Sequence, residues 1–475
     1  MTHLDPYLLV RAGSLYITTV LTAAVWLWRR PPSRTIGAAM LAFIWNVPAV
    51  LLLNLLARRV GWWDFDARGG LLLGVPVDLL LAWAWLWGAI PALALSSWRL
   101  VWVVALGVAF DLLLMPAAFP VVRLGPGWLT GEAIGLALSL VPSQLLARWT
   151  IERDHLPGRG LLQVVAFAGV VLFVLPATVL DATGGSLAWL IARPVWQLSL
   201  IAQLLALPAA IGLTAVQEFV TRGGGTPVPF DPPSQLVTTG VYAYIRNPMQ
   251  TSAVLLLLLA GLALRNPWIA AAAFVAHIYS IGFAGWDEEE DLRRRFRDTW
   301  SVYRGQVPRW RPRLRPWFRP DHPPSRLYVS ERCGMCRDVA MWFARRGAGH
   351  LAIVPAEQHP SGALRRITYE PGDGSPAASG IEAIARALEH IHLGWALVGF
   401  VLRLPVVSAL VQLLADASGA EPRLADEVPP SGLERSLRRN VSTHEHAVSP
   451  GRFIRALHAA RRPRPRGDGR GLSRP

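Results

Sequence analysis

The 475-residue chain contains no lysine and only two cysteines, Cys333 and Cys336. Without lysine there is no Schiff-base chemistry and no Walker-type phosphate loop. Two cysteines allow at most one internal disulfide, which excludes a disulfide-stapled scaffold. Charge is also scarce: 17% of residues are charged against 52% hydrophobic, and the mean hydropathy of +0.34 excludes an ordinary soluble protein. What charge there is has one dominant sign. The formal net charge is +15 and the pI about 11.0, all of the basic side chains being arginine. The arginines gather at the ends of apolar runs and in the C-terminal tail, where anionic headgroups are their natural counterions. Membrane lipids are therefore expected partners, and nucleic acid is not.

Apolar runs cover Tyr7 to Trp28, Ile36 to Leu56, Leu71 to Leu95, Leu100 to Val122, Leu129 to Leu146, Leu161 to Leu180 and Pro194 to Val216. The first is too long for the apolar part of a signal peptide and runs into Arg29, Arg30 and Arg34, so it is expected to remain as a span. Two further runs, Thr251 to Leu264 and Pro267 to Trp286, are separated only by Arg265 and Asn266, which predicts an antiparallel helical hairpin. The total is about nine transmembrane helices. The arginine distribution predicts the N-terminus outside and the C-terminal part in the cytoplasm of a multi-pass cell-membrane protein. Asp78, Asp111 and Glu132 lie inside apolar runs; each is a functional candidate, or else is neutral or bonded to a neighbouring helix. Trp62 to Asp78 is faintly similar to the lycopene cyclase domain, but Asp78 is followed by Leu79 where that domain has paired carboxylates.

The hairpin is flanked by polar motifs. GVYAYIRNPMQ precedes it, and DEEEDLRRRFRDTWSVYRGQVPRWRP follows it. Glu289, Leu292, Phe296, Trp300 and Tyr303 recur at three- and four-residue steps, which predicts a helix with a carboxylate and aromatics on one face. On spacing alone this is an amphipathic helix on a headgroup surface. A hairpin would also bring Arg246 and Asn247 close to Glu288 and Glu289.

With Gly240, Tyr242, Arg246, Asn247, Pro248, Met249, Glu288, Glu289, Leu292, Phe296, Tyr303, Val307, Pro308, Arg309, Trp310 and Pro312 at matching spacings, this region resembles the isoprenylcysteine carboxyl methyltransferase family, relatives of the phospholipid methyltransferases. It departs from the family pattern at Asn247 for His, Gln250 for Tyr, Arg297 for Gly and Trp300 for Tyr. The resemblance implies a membrane enzyme transferring a methyl group from S-adenosylmethionine to a lipophilic acceptor. It also implies the site. Arg246 would pair with the cofactor carboxylate, Glu289 or Glu288 would hold the ribose hydroxyls or amino group, and Tyr242 and Tyr303 would line the adenosine end, with Asn247 and Pro248 completing the pocket. Arg246 and Glu289 are the candidate catalytic pair.

After Arg311–Pro324, a Pro/Arg-rich stretch expected to be a stiff solvated linker, comes a β-type run and then Cys333-Gly334-Met335-Cys336 opening a helix. A C-x-x-C between strand and helix is the thioredoxin-like redox arrangement, and Arg332 and Arg337 put positive charge beside the first sulfur. Zinc would need two more ligands, and no histidine pair has the spacing. Residues 325–419 resemble the thiol-disulfide oxidoreductase family named for its D-C-x-x-C motif, with Arg332 where that family has the acidic residue. The resemblance implies attack by Cys333, resolution by Cys336 and a redox partner protein. It also places the apolar run Leu393 to Leu414 in a soluble domain.

The expected organisation is an all-α polytopic membrane protein with a small C-terminal α/β thioredoxin-like domain. Residues 1–220 form the N-terminal helical region, 221–316 the methyltransferase-like hairpin and signature, 317–324 the linker, 325–420 the thioredoxin-like domain and 421–475 a basic tail without periodicity.

Overall fold

A computed structural model describes residues 6–227, 231–362, 364–420 and 422. The tail expected at 421–475 thus lies outside the described residues, apart from residue 422. The described chain divides into two units, one of residues up to 237 and 247–301, the other of 238–246 and residues from 302 onward.

In the first unit, seven helices among the described residues are long and apolar enough to cross a membrane: α1 (Pro6–Arg29), α2 (Ser33–Val60), α3 (Val77–Ala94), α4 (Leu100–Ala117), α5 (Trp128–Glu152), α6 (Leu156–Ala182) and α7 (Val195–Thr221). They correspond to the seven runs read before the hairpin, with shifted ends. The run from Leu71 starts with a tight antiparallel turn, Leu71–Leu72 on Val75–Pro76, before α3 begins. The run to Val122 leaves its helix at Ala117, and strand β2 (Val122–Leu124) then pairs antiparallel with β1 (Trp63–Phe65). Both strands are three residues long, too short for a periodicity signal.

Three spans change pitch just before a proline. α3 has a π turn at Trp85–Ala89 ahead of Pro91, α5 one at Leu136–Leu140 ahead of Pro142, and α6 one at Val170–Val174 ahead of Pro176. Proline lacks an N–H and its ring crowds the preceding turn, so a locally widened helix is one way to keep the other carbonyls bonded where water is scarce; α2, α4 and α7 hold Pro48, Pro116 and Pro208 without it. The core between the spans holds Leu51, Trp63, Leu79, Leu80, Trp87, Met115 and Leu140.

The hairpin is present as α8 (Pro248–Ala263) and α9 (Pro267–Ile281), joined by a turn in which Asn266 Oδ1 accepts from the Trp268 and Ile269 amides. The helices approach closely at Gly261, where a Cβ would stand 2.5 Å from the Ala270 nitrogen. At 16 and 15 residues they reach about 24 and 22 Å, less than the ~30 Å hydrocarbon thickness. They therefore do not join the seven on length, and the count on length and composition is seven, or up to eight with one bent pair in the second unit. The second apolar run is not one helix: it stops at Gly282, whose backbone leaves the helical region, and α10 (Phe283–Gln306) follows.

In the second unit, a four-stranded sheet has the order β4-β3-β5-β6, made of β3 (Ser325–Val329), β4 (Leu351–Pro355), β5 (Thr368–Glu370) and β6 (Ala378–Ser379). β3 and β4 are parallel, connected through α11 (Gly334–Arg346); the other pairs are antiparallel. Leu327, Phe343, Tyr369, Leu388 and Ile391 form its core with α12 (Ile381–Leu388). The Leu393 to Leu414 run forms α13 (Leu393–Leu402) and α14 (Pro405–Ala415), bent by 88°. Arg403, at the bend, is buried with Glu389 at 2.9 Å.

The stretch expected to be a solvated linker is partly buried. Trp317 is buried against the Tyr303 ring at 5.4 Å, its amide donates to Ala243 O, and Leu314 O accepts from Leu393 N. Two backbone hydrogen bonds, Arg313 N to Tyr244 O and Trp317 N to Ala243 O, tie this stretch to residues 243 and 244, which composition alone does not reveal.

Arg297 interrupts α10 with φ 39° and ψ −114°, a region comfortable only for glycine. It is also the position at which the methyltransferase pattern has Gly. Replacement Arg297→Gly should stabilise the chain by roughly 1 kcal/mol. Thermal unfolding in detergent checks this, and a lowered midpoint would show that the arginine side chain contributes more than its backbone costs.

Candidate functional site

The expected cofactor residues fall in both units. In the second, Gly240–Ala243 forms a short 3-10 turn whose neighbours are held by the VPRWRP segment: Arg246 N donates to Pro308 O and Arg313 N to Tyr244 O. Tyr242 and Tyr303 are both buried, and the Tyr303 hydroxyl donates to Tyr242 O at 2.8 Å. Tyr244 is fully buried, its hydroxyl donating to Glu389 O and its ring edge-on to Phe400. Burial is the main reason its phenol is held well above the ordinary range, with the Glu389 charge adding to it. GVYAYIR is thus a built-in part of the second unit's core, and the structure brings Tyr242 and Tyr303 together there.

In the first unit, Pro248 occupies the first turn of α8, where its missing N–H costs nothing, and Asn247 precedes it. Asn247 Nδ2 donates to Gln250 Oε1 at 3.1 Å, and Asn247 O accepts from the Thr251 amide and hydroxyl. Gln250, a departure from the family pattern, thereby orients Asn247, itself a departure. On α10, Glu288 is exposed and Glu289 half-buried. Glu290 pairs with Arg293 and Arg294, and Asp291 pairs with Arg295. Arg295 also donates to Pro233 O, docking α10 on the Gly/Pro-rich segment after α7.

That segment carries polar groups that the motif reading did not single out. Glu218 is fully buried near the end of α7, with Arg222 one turn later at 3.9 Å. Its position near the end of an apolar run was the available signal. Gly223 and Gly225 are required by close approach: a Cβ at Gly225 would stand 2.6 Å from Asp231 O, and one at Gly223 2.5 Å from Phe219 O. The tight turn closes through Thr226 N donating to Asp231 O and Ser234 N to Gly223 O. Thr226 is buried, and its hydroxyl has no hydrogen-bond partner.

Asp231 fixes this turn to the spans. Its Oδ2 accepts from Arg159 Nη1 at 2.5 Å and its Oδ1 lies 3.4 Å from Arg34 Nη1, which also donates to Thr150 O. Arg159 is 3% exposed, so this pairing is shielded from screening.

The carboxylates expected inside the spans are all placed in the first unit. Asp78 is ion-paired with Arg11 at 2.7 Å, the bonded-neighbour alternative. Asp111 accepts from Trp87 Nε1 at 3.3 Å, and Glu132 lines a small cavity with Trp63, Trp83 and Trp87. One oxygen of each of these two carboxylates is buried without a hydrogen-bond partner.

Around the thiols, Cys333 caps α11, with Cys336 N donating to its Sγ at 3.3 Å. Both cysteines are half-buried and unpaired as a disulfide. Glu357, unremarked in the sequence, accepts from Ser330 Oγ and from the Glu331 amide just ahead of the motif. Burial pushes the Cys336 thiol up to about 12, and the Cys333 sulfur and Glu357 charge push the same way. Among the described residues no cluster of three or more metal-ligating side chains occurs.

Residues 198–299 match the family model described as phospholipid methyltransferase. The matched stretch runs from α7 through the Gly/Pro-rich segment and the hairpin into α10, and ends before Tyr303 and VPRWRP. No curated protein and no solved structure matches the chain.

Two outcomes are expected. Asp231→Ala leaves Arg159 buried without its carboxylate and should cost about 3–5 kcal/mol, read as a lowered unfolding midpoint in detergent; a cost under about 1 kcal/mol would mean that the pairing is solvated. With a thiol raised to about 12, Cys336 stays protonated at neutral pH. Iodoacetamide at pH 7.5 should therefore alkylate Cys333 well ahead of Cys336 in the reduced protein, with the gap narrowing as pH rises; equal labelling by mass spectrometry contradicts this.

Proposed function

We propose that the chain is an integral membrane methyltransferase that uses S-adenosylmethionine and a lipophilic isoprenoid or lipid acceptor, with an appended thioredoxin-like, thiol-disulfide-exchanging domain. The single observation that carries the first part is the family match over 198–299, in a chain whose described residues hold seven helices long and apolar enough to cross a membrane. The donor set suits the cofactor. Thr226 supplies a buried hydroxyl with no hydrogen-bond partner, and α10 supplies carboxylates at Glu288 and Glu289. As the resemblance implies, Arg246 takes the cofactor's carboxylate, for which a guanidinium fork is matched. Glu289 or Glu288 takes the ribose hydroxyls or amino group. The resemblance also assigns Tyr242, Asn247, Pro248 and Tyr303 to cofactor binding; within the second unit Tyr303 bonds Tyr242 O, and within the first Asn247 bonds Gln250.

Bound S-adenosylmethionine supplies an electrophilic methyl on a sulfonium. The protein's contribution is to position both reactants in line and to exclude water, with no strong base needed on its side. The arginines in the connections around Arg29, Arg30 and Arg34, around Arg148, Arg153 and Arg159, and around Arg222 and Arg246, against the arginine-free turn Asp181 to Gly185, support a cell-membrane location with the C-terminal unit on the cytoplasmic side.

A second reading is favoured by a specific observation: Cys333 caps a helix directly after a strand, while Arg297 holds a strained backbone in α10. In it the chain is a membrane-anchored thiol-disulfide oxidoreductase or redox sensor, Cys333 attacking a partner protein's disulfide and Cys336 resolving the mixed disulfide, with the methyltransferase region degenerate. Calorimetry with S-adenosylmethionine on detergent-purified protein separates the two. Saturable binding that Arg246→Ala and Glu289→Ala each weaken by tenfold or more supports the first reading. A folded wild type that binds nothing, yet in its reduced form reduces a disulfide substrate to the dithiol, its own Cys333 and Cys336 ending as the disulfide, in a manner lost in Cys333→Ser, supports the second.

A further inference from the structure

Helix α1 is tied to α3 near both ends. Near its start, Arg11 Nε pairs with Asp78 in the first turn of α3 at 2.7 Å. At its end, Arg29 Nη2 donates to the carbonyl of Ala94, the last residue of α3, at 2.7 Å. Between these two ties α1 has no buried residue at all. The space left is a cleft of about 630 Å³ between α1, α2 and α3. Its volume falls within the range of sites for small ligands.

The walls fix the chemistry. They are Trp26 on α1, Met40, Phe43 and Ile44 on α2, and Trp85 and Leu93 on α3, with the Phe43 and Trp85 rings 4.3 Å apart. The room comes from alanines, Ala23, Ala39 and Ala89, where larger side chains would fill it. The only hydroxyls in the lining, Thr19 and Thr22, are spent on carbonyls of their own helix. The cleft therefore has nothing to offer a polar ligand and suits a hydrocarbon chain.

One end is charged. Trp26 and Leu93 line the cleft within a turn of Arg29, whose guanidinium bridges to Ala94 O, and Arg30 follows in an exposed turn. From apolar walls with Arg29 and the exposed Arg30 just past the Trp26 end of α1 we infer that the cleft binds one anionic phospholipid, an acyl chain lying along α1 and its phosphate headgroup on Arg29 and Arg30. Charge complementarity selects anionic over zwitterionic lipid, because a choline headgroup would bring a cation to the arginines. This inference does not rest on methyl transfer: α1 to α3 lie outside the segment that matches the family model.

Native mass spectrometry of the full-length protein, released from nanodiscs holding equal phosphatidylglycerol and phosphatidylcholine, tests it. Wild type should retain one phosphatidylglycerol, about fivefold enriched over phosphatidylcholine, the order of selectivity that one or two basic residues give at a membrane surface. Ala23→Trp fills the cleft from its exposed side and should abolish retention; Thr19→Phe does so from a second exposed position should the first variant misfold. Arg29→Gln/Arg30→Gln should keep a lipid in the cleft but remove the preference. Equal retention of both lipids by wild type, retention unchanged in both filled variants, or a polyprenyl phosphate carried over from the membrane in place of phospholipid would each overturn the proposal.

Discussion

The pairing of Asp231 with Arg159 and Arg34 is the interaction on which the arrangement of the first unit depends. One carboxylate holds the start of α6 and the start of α2 to the turn that follows α7, and Arg34 extends the tie to the end of α5 through Thr150 O. In an apolar surrounding each of these charges would be costly alone, and together they satisfy one another. The Gly/Pro-rich turn is then fixed on its other side by Arg295 of α10. A segment whose composition suggests a loose surface crossing is in consequence held from both directions. The same turn lies inside the stretch that matches a methyltransferase family, so a polar tie between distant spans and the candidate chemistry occupy one short piece of chain.

A second constraint shapes the spans themselves. Backbone groups in a bilayer must be bonded within the protein, yet six of the seven spans carry an internal proline: α2 at Pro48, α4 at Pro116 and α7 at Pro208 keep the α pitch. The other three, α3, α5 and α6, have a π turn just before a proline. In α3 this places Trp87 inward, where its indole N–H meets Asp111 and its carbonyl accepts from Ser143 and Gln144 of α5. Local backbone chemistry thereby sets which polar groups meet in the core. Asp111 and Glu132 are brought into one aromatic surrounding by this packing, a meeting that their separate positions in two apolar runs do not announce.

How much of this is legible in the sequence depends on the range of the interaction. Hydropathy reads each span from its own residues, and the seven runs before the hairpin are found as helices. Local stereochemistry already limits the reading: the run from Pro267 continues in apolar residues past Ile281, so composition carries it on, while the backbone breaks at Gly282. Length also misleads. The run from Pro267 to Trp286 is long enough for a span on composition, but its helix ends at Ile281 after 15 residues, while the helix of the run from Thr251 starts earlier, at Pro248, and reaches 16. Contacts distant in the chain are not legible at all. Asp231 meets Arg34 across 197 positions and Arg159 across 72, and nothing in the spacing of any of the three marks them as partners.

The candidate sites show the same division. The C-x-x-C motif is local, and its placement after a strand and at a helix start is legible in the residues just before and after it. The family pattern around the hairpin is longer, and its residues prove to have unequal roles. Tyr242 and Tyr303 are joined by a hydrogen bond inside the second unit, and Arg246 is fixed through its amide to Pro308. Val307 and Pro308 thus have a physical reason to accompany the Tyr and Arg of GVYAYIR some sixty residues earlier: they supply the surface on which that segment is bound. Arg297 is the opposite case. Its backbone conformation is one that glycine takes without strain, which gives a physical reason for a glycine in the pattern at this position. An arginine there is a matter of helix strain within α10.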